Sequence, residues 1–230
     1  MARSDSTRHN ASVTHPLRAV LFDWDGTLVD SAASTFRCYV RLFARYGITF
    51  DQEAFHESYS PNWHRTYVYV GLDRRHWDEA DRLWLELYAE ERNQLLPGAH
   101  QNVGRLADAG LALGLVTSGD RGRVQFELAD LGLARFFGVV VCGGDVPNRK
   151  PHPEALQTAL AGLEVPPEAA AYVGDSPEDI EMARAAEVFS VGIPGGFPNG
   201  EALRAADPDL WASSLEEAVA GLMQRRRDAV

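Results

Sequence analysis

Lysine is almost missing from this chain. Of its 22 basic residues one, Lys150, is a lysine and the other 21 are arginines. Generic surface cations are therefore guanidinium groups, and the single lysine marks a place where a compact ammonium does something a planar fork cannot. Cysteine is scarce too. Cys38 and Cys142 stand far apart, which excludes a disulfide scaffold or a zinc cluster and leaves two packing thiols. No apolar run approaches the roughly 18 residues of a membrane helix, and with 45% hydrophobic and 24% charged residues the composition is that of a soluble globular protein. Positive charge is in deficit. A formal net charge of -11 leaves no broad cationic surface, so neither nucleic acid nor a membrane is expected as partner. Residues 1-16, MARSDSTRHNASVTHP, lack the apolar stretch of a secretory signal and are expected to form a flexible N-terminal tail of a cytoplasmic protein. The 230 residues suffice for one substantial core with at most a smaller satellite.

What is present is a repeated alternation. Short apolar runs end at polar punctuation: Ala19 to Phe22 ends at Asp23, Leu113 to Val116 at Thr117-Ser118-Gly119, Val139 to Val141 at Cys142-Gly143-Gly144, Ala171 to Val173 at Gly174-Asp175, and Val188 to Val191 at Gly192. Such runs fit buried parallel strands. Between them lie segments of helical spacing, about 98 to 109, 120 to 131, 153 to 162 and 177 to 186. This predicts the α/β class, a Rossmann-like parallel sheet with helices on both faces, which binds ligands outside the carboxyl ends of its strands.

One stretch breaks the pattern. Residues 31-96 offer helices without core strands. Residues 31 to 46 form one, and Ala80, Leu83, Trp84, Leu87 and Tyr88 repeat with the spacing of another. The expected organisation is an α/β core of 17-30 and 97-230 with an inserted helical cap at 31-96, entered after Asp30 with Ser31 as N-cap and left at Pro97-Gly98.

Chemistry concentrates at the strand ends. Asp23-Trp24-Asp25-Gly26-Thr27-Leu28 puts two carboxylates two residues apart, so that one can attack an electrophile while the other moves a proton. Read alone it is also an Asp-Gly turn. Thr117 and Ser118 bring hydroxyls and backbone amides to the start of a helix, suited to a phosphoryl group or simply to capping. Lys150 precedes Pro151 and, read locally, is also a loop lysine. In Gly174-Asp175-Ser176-Pro177-Glu178-Asp179, Ser176 reads as an N-cap, Pro177 as the first helical residue and Asp179 as the partner of a capping box. Asp175 has no such local use. A hard cation such as Mg²⁺ would account for Asp23 and Asp175 together.

Taken in this order, the four elements resemble the motifs of the haloacid dehalogenase superfamily: DxDG followed by Thr or Val, then Ser or Thr, then Lys, then an acidic GD loop. The resemblance covers about residues 17 to 192, and the insertion after the first motif is similar to the helical cap of that superfamily's phosphoglycolate-phosphatase-like branch. It implies a Mg²⁺-dependent phosphatase acting on a small phosphorylated metabolite, phosphoglycolate-like or a sugar phosphate. Asp23 would become an aspartyl-phosphate while Asp25 protonates the leaving oxygen and then activates water. Thr117, Ser118 and Gly119 would hold phosphoryl oxygens and Lys150 would neutralise charge. Asp23, the carbonyl of Asp25 and Asp175 would hold the metal, with Asp179 orienting that shell or Lys150.

Within the superfamily, Asp25 argues against a dehalogenase, and the absence of lysine from 31-96 argues against the Schiff-base, phosphonate-cleaving branch. A beta-phosphoglucomutase-like transferase stays open if Arg65, Arg74 or Arg75 grips a second phosphate. A catalytically idle binding module on the same fold is a further alternative. A receiver-type signalling domain is not, because its phosphoacceptor follows a later strand. Asn62, Trp63, His64 and Arg65 are the candidates for facing the substrate from the cap, with Arg65 as a phosphate ligand. The oligomeric state is not legible.

Overall fold

The computed structural model describes residues 15-229, so most of the expected tail, residues 1-14, lies outside the described residues. β1 (Ala19–Phe22) is followed by β2 (Val29–Asp30), then by four helices, α1 (Ala32–Ala44), α2 (Gln52–Ser58), α3 (His64–Tyr69) and α4 (Trp77–Tyr88), and by β3 (Gln94–Leu95). The alternation then resumes with α5 (Ala99–Asp108), β4 (Ala112–Val116), α6 (Arg121–Asp130), β5 (Val139–Val141), α7 (Glu154–Leu163), β6 (Ala170–Gly174), α8 (Pro177–Ala185) and β7 (Phe189–Gly192). α9 (Gly200–Ala205), β8 (Leu210–Trp211) and α10 (Leu215–Asp228) complete the chain.

Six strands form one parallel sheet in the order β5-β4-β1-β6-β7-β8. The alternating side chains of β1 serve both faces. Val20 and Phe22 pack with Val103 and Leu106 of α5 and with Val219 and Leu222 of α10. Ala19 and Leu21 pack on the other face with Leu156 and Leu160 of α7 and with Met182 and Ala183 of α8. Because β1 lies between β4 and β6, the chain crosses over in opposite directions on its two sides. The crevice this creates opens at the carboxyl end of β1, where Asp23 stands.

α1 to α4 gather around a separate cluster that includes Cys38, Tyr39, Leu42, Phe43 and Leu87. Its rings interlock, with Tyr39 stacked on Phe43 at 5.5 Å and Phe43 5.0 Å from Phe50. The junction differs from a bare hinge. β2 and β3 pair antiparallel as a two-stranded ribbon, so both connections to the inserted helices are tied by backbone hydrogen bonds. Ser31 occupies the N-cap position of α1 with no side-chain capping bond, because its backbone is not in the extended conformation that aims a hydroxyl at the third amide. Pro153 is likewise the N-cap of α7 rather than part of its first turn. No helix among the described residues is long and apolar enough to cross a membrane.

Candidate active site

The backbone after β1 turns sharply. The carbonyl of Trp24 accepts the amides of Thr27, Leu28 and Val29, while the fully buried Trp24 indole donates to Glu127 at 2.8 Å. Gly26 has φ +80°, and a Cβ there would collide with the Asp175 carboxylate and Phe197. The glycine lets the first loop lie directly against the fourth. Asp23 and Asp175 are thus forced together, 6% and 2% exposed.

Lys150 joins them. Its Nζ donates to Asp23 Oδ1, Asp179 Oδ1 and the Tyr172 hydroxyl, each at 2.7 Å. A guanidinium is too wide for three acceptors converging on one nitrogen, which explains the lone lysine of an arginine-rich chain. Burial opposes the ammonium, yet Asp179 and Asp23 more than compensate and raise its pKa. Burial likewise raises Asp23, to about 7, against the lowering pull of Lys150. Asp175 is driven well above the carboxylate range by burial and by Asp23 and Asp179.

Asp179 closes the capping box with Ser176 and accepts the amides of Asp175 and Ser176 at 3.2 and 3.0 Å. Its Oδ1 faces Lys150, so one carboxylate fixes both the α8 loop and the ammonium. Asp175 Oδ2 is buried with no hydrogen-bond partner, and oxygens of Asp23, Asp175 and Asp179 lie within 4.8 Å of one another. An orphaned oxygen among mutually repelling hard donors fits a divalent cation such as Mg²⁺.

Thr117 follows β4, but Asp120 is the side-chain cap of α6, accepting the Arg123 amide at 3.0 Å. Thr117 Oγ1 instead accepts the Gly119 amide at 3.0 Å, which engages one of the amides expected to be free for a phosphoryl group. Asp23, Asp25, Thr117, Ser118, Gly119 and Asp175 all line one cavity of about 310 Å³.

Asp25 has a partner that sequence reasoning missed. Arg123 donates through Nη2 to Asp25 Oδ2 at 2.5 Å and through Nη1 to Oδ1 at 3.1 Å, and reaches Glu127 Oε2 at 2.9 Å. Burial works to raise Asp25, but this fork holds it below the usual carboxylate range. The Tyr88 ring lies 4.8 Å beneath the guanidinium. The only sequence signal was Arg123 and Glu127 at i, i+4 on α6, an ordinary surface spacing.

Of the cap candidates, Trp63 lines the cavity. Asn62, His64 and Arg65 line a second one on the outer side of α3, and Arg65 is exposed and pairs with Glu178 at 3.4 Å. Arg65 therefore does not reach the phosphate position expected of it. Its place on α3 points it toward Glu178 at the start of α8. Arg74 also lines the outer cavity, and Arg75 pairs with Asp73. None of these three arginines lines the cavity above Asp23, whose arginines are Arg123 and Arg149. Unexpected cavity residues are Tyr39, Tyr59, Tyr67, Asp81 and Trp84, of which Trp84 reads from its spacing as a helix core position.

The chain is 40% identical over 142 residues to a phosphoglycolate phosphatase of Salmonella paratyphi A, a match covering 62% of this chain and 56% of that one, so it spans little more than half the length of that relative. It is 34% identical to a phosphoglycolate phosphatase of Yersinia pseudotuberculosis, covering 84% of this chain and 88% of the other. The crystal structure of a protein described as a phosphoglycolate phosphatase from Lactobacillus plantarum superposes with a TM-score of 0.81 at 23% identity, over 90% of this chain and 99% of that one, and shares the fold. Residues 20–193 match the family model of haloacid dehalogenase-like hydrolases, and the chain belongs to that family.

Proposed function

We propose that this chain is a Mg²⁺-dependent phosphatase that hydrolyses a small phosphomonoester, of the size of phosphoglycolate or a sugar phosphate, through an aspartyl-phosphate on Asp23. The observation that carries the reading is the buried pairing of Lys150 with Asp23 beside the unpartnered Oδ2 of Asp175. Asp23 attacks phosphorus, and the ester oxygen departs with the alcohol after taking a proton from Asp25. The carboxylate of Asp25 then removes a proton from water, whose oxygen bonds to phosphorus as the Asp23–phosphorus bond breaks. Phosphate leaves and Asp23 is regenerated.

Asp25 begins this cycle as a carboxylate clamped by Arg123, so it must leave the fork and take up a proton from solvent before it can give one to the leaving oxygen. Lys150 lowers the repulsion between the nucleophile and the phosphoryl oxygens, and Thr117 orients those oxygens. Asp23, Asp175 and the Asp25 carbonyl are the residues that would hold Mg²⁺, with Asp179 fixing Lys150 and the α8 loop. The ion, when bound, supplies charge neutralisation for the transferring group. The inserted helices act as a cap that keeps bulk water from the intermediate. The family relation, the filled motif positions and the relatives' names support this reading.

A phosphate-release screen with and without Mg²⁺, run beside Asp23→Asn, tests it. Metal-dependent release lost in the folded variant is expected. A folded wild-type protein that releases no phosphate from a broad panel favours the idle binding module instead.

A further inference from the structure

The cavity above Asp23 has two unlike halves. The core half supplies the carboxylates, Thr117 and Arg123. The half supplied by residues 31–96 presents Tyr39, Tyr59, Trp63, Tyr67 and Trp84, with Asp81 as its one charged group. No arginine from that segment lines the cavity.

Asp81 is held by three neighbours, none of them a lysine or an arginine. Trp63 Nε1 donates to its Oδ1 at 2.8 Å and the Tyr67 hydroxyl at 3.0 Å, while His64 Nε2 lies 3.3 Å from Oδ2. Among the described residues it makes no salt bridge to a lysine or arginine. Trp84 Nε1 is buried in the same region with no partner, and its ring lies 6.4 Å from that of Tyr39. The faces of aromatic rings are negative, as is the carboxylate, so this half attracts a small cation and repels a second anionic group.

Of the two arginines that line the cavity, Arg149 is the one that stacks on a ring lining this half. It comes from the core, is exposed, and stacks 4.1 Å over Trp63. The outer ring thus already carries a cation. Tyr39 and Tyr67 are 3% and 1% exposed and pack on Phe43, so the inner ring left for the ligand is that of Trp84, which stacks on Tyr88 and is half-buried.

We propose that the alcohol portion of the substrate carries an ammonium group, making the substrate a small O-phosphorylated amino alcohol whose cationic end is held by Asp81 and the ring of Trp84. This deepens the phosphatase reading and rests on it. A carboxylate in that position, as in phosphoglycolate, would meet Asp81 with no lysine or arginine from residues 31–96 to offset it.

The test compares kcat/KM for four esters of similar size: 2-aminoethyl phosphate, phosphocholine, 2-hydroxyethyl phosphate and phosphoglycolate. At least one ammonium ester is expected to exceed the neutral ester about 10-fold or more, with phosphoglycolate the poorest. In Asp81→Asn the ratio of ammonium to neutral ester should fall toward one through KM, and because both are measured on one enzyme the ratio is insensitive to partial misfolding. Trp84→Phe, which keeps the carboxylate, should lower the ratio several-fold. Phosphoglycolate or the neutral ester equalling the ammonium esters in the wild-type protein overturns the proposal while leaving the phosphatase intact. Turnover of no ester overturns the phosphatase reading; the preference is then read from tryptophan fluorescence, where tighter binding of phosphocholine than of 2-hydroxyethyl phosphate sustains it and equal binding ends it.

Discussion

The ammonium of Lys150 lies 2.7 Å from Oδ1 of Asp23, and the two side chains are buried together, 3% and 8% exposed. A single cation placed between Asp23 and Asp179 lets three acidic groups share one dry pocket.

Replacing it should therefore cost stability as well as activity. Lys150→Met leaves Asp23 and Asp179 without their shared partner, and urea unfolding in the absence of divalent ions should show a loss of about 3–5 kcal/mol. Lys150→Arg should not rescue turnover, because the wider fork cannot bring one nitrogen to three acceptors. Wild-type stability in either variant contradicts the pairing.

The metal-free protein should be less stable at alkaline than at acid pH. Asp23 is raised from 3.8 to about 7 in the folded state, and Asp175 moves in the same direction, so the folded chain binds more protons than the unfolded one across that interval. Stability then falls as pH rises through it. Thermal melts in EDTA at pH 5 and pH 8 should show this order, and Mg²⁺ should raise the melting temperature more at pH 8, where the carboxylates are ionised.

Removing the clamp on Asp25 should shift a pH profile. Arg123 overrides the burial that would otherwise raise Asp25. In Arg123→Gln that opposition disappears, so the alkaline limb of kcat/KM, where Asp25 must still hold its proton, should move to higher pH. An unmoved limb with reduced stability would assign Arg123 to packing alone.

Gly26→Ala tests the contact between the first and fourth loops. Left-handed backbone costs a non-glycine residue about 1–2 kcal/mol, and the added methyl would displace the Asp175 carboxylate. Weaker Mg²⁺ stabilisation in melting experiments, beyond the loss in stability itself, is the expected result.

The sheet and the four strand-end motifs were legible because buried parallel strands leave apolar runs with polar stops, and Asp175 stood out by lacking a local use. The β2–β3 ribbon escaped notice because two-residue strands carry no periodicity. β8 escaped for the same reason. Arg123 was illegible since its partner, Asp25, is 98 residues away and a helical arginine ordinarily meets solvent. The aromatic half of the cavity was hidden by its own regularity: Trp84 repeats with Ala80 and Leu87 as a core face does, but the helix turns it toward the substrate space. Arg65 misled in the opposite sense, a cation in the first turn of α3 that lines the second cavity and not the one above Asp23.

Acid-quenched mass spectrometry of the wild-type enzyme during turnover with Mg²⁺ tests the nucleophile most directly. The account predicts one phosphoryl group on the peptide containing Asp23, absent from Asp23→Asn, which should fold and release almost no phosphate. A phosphoryl group on another residue, or turnover by Asp23→Asn near the wild-type rate, would contradict it.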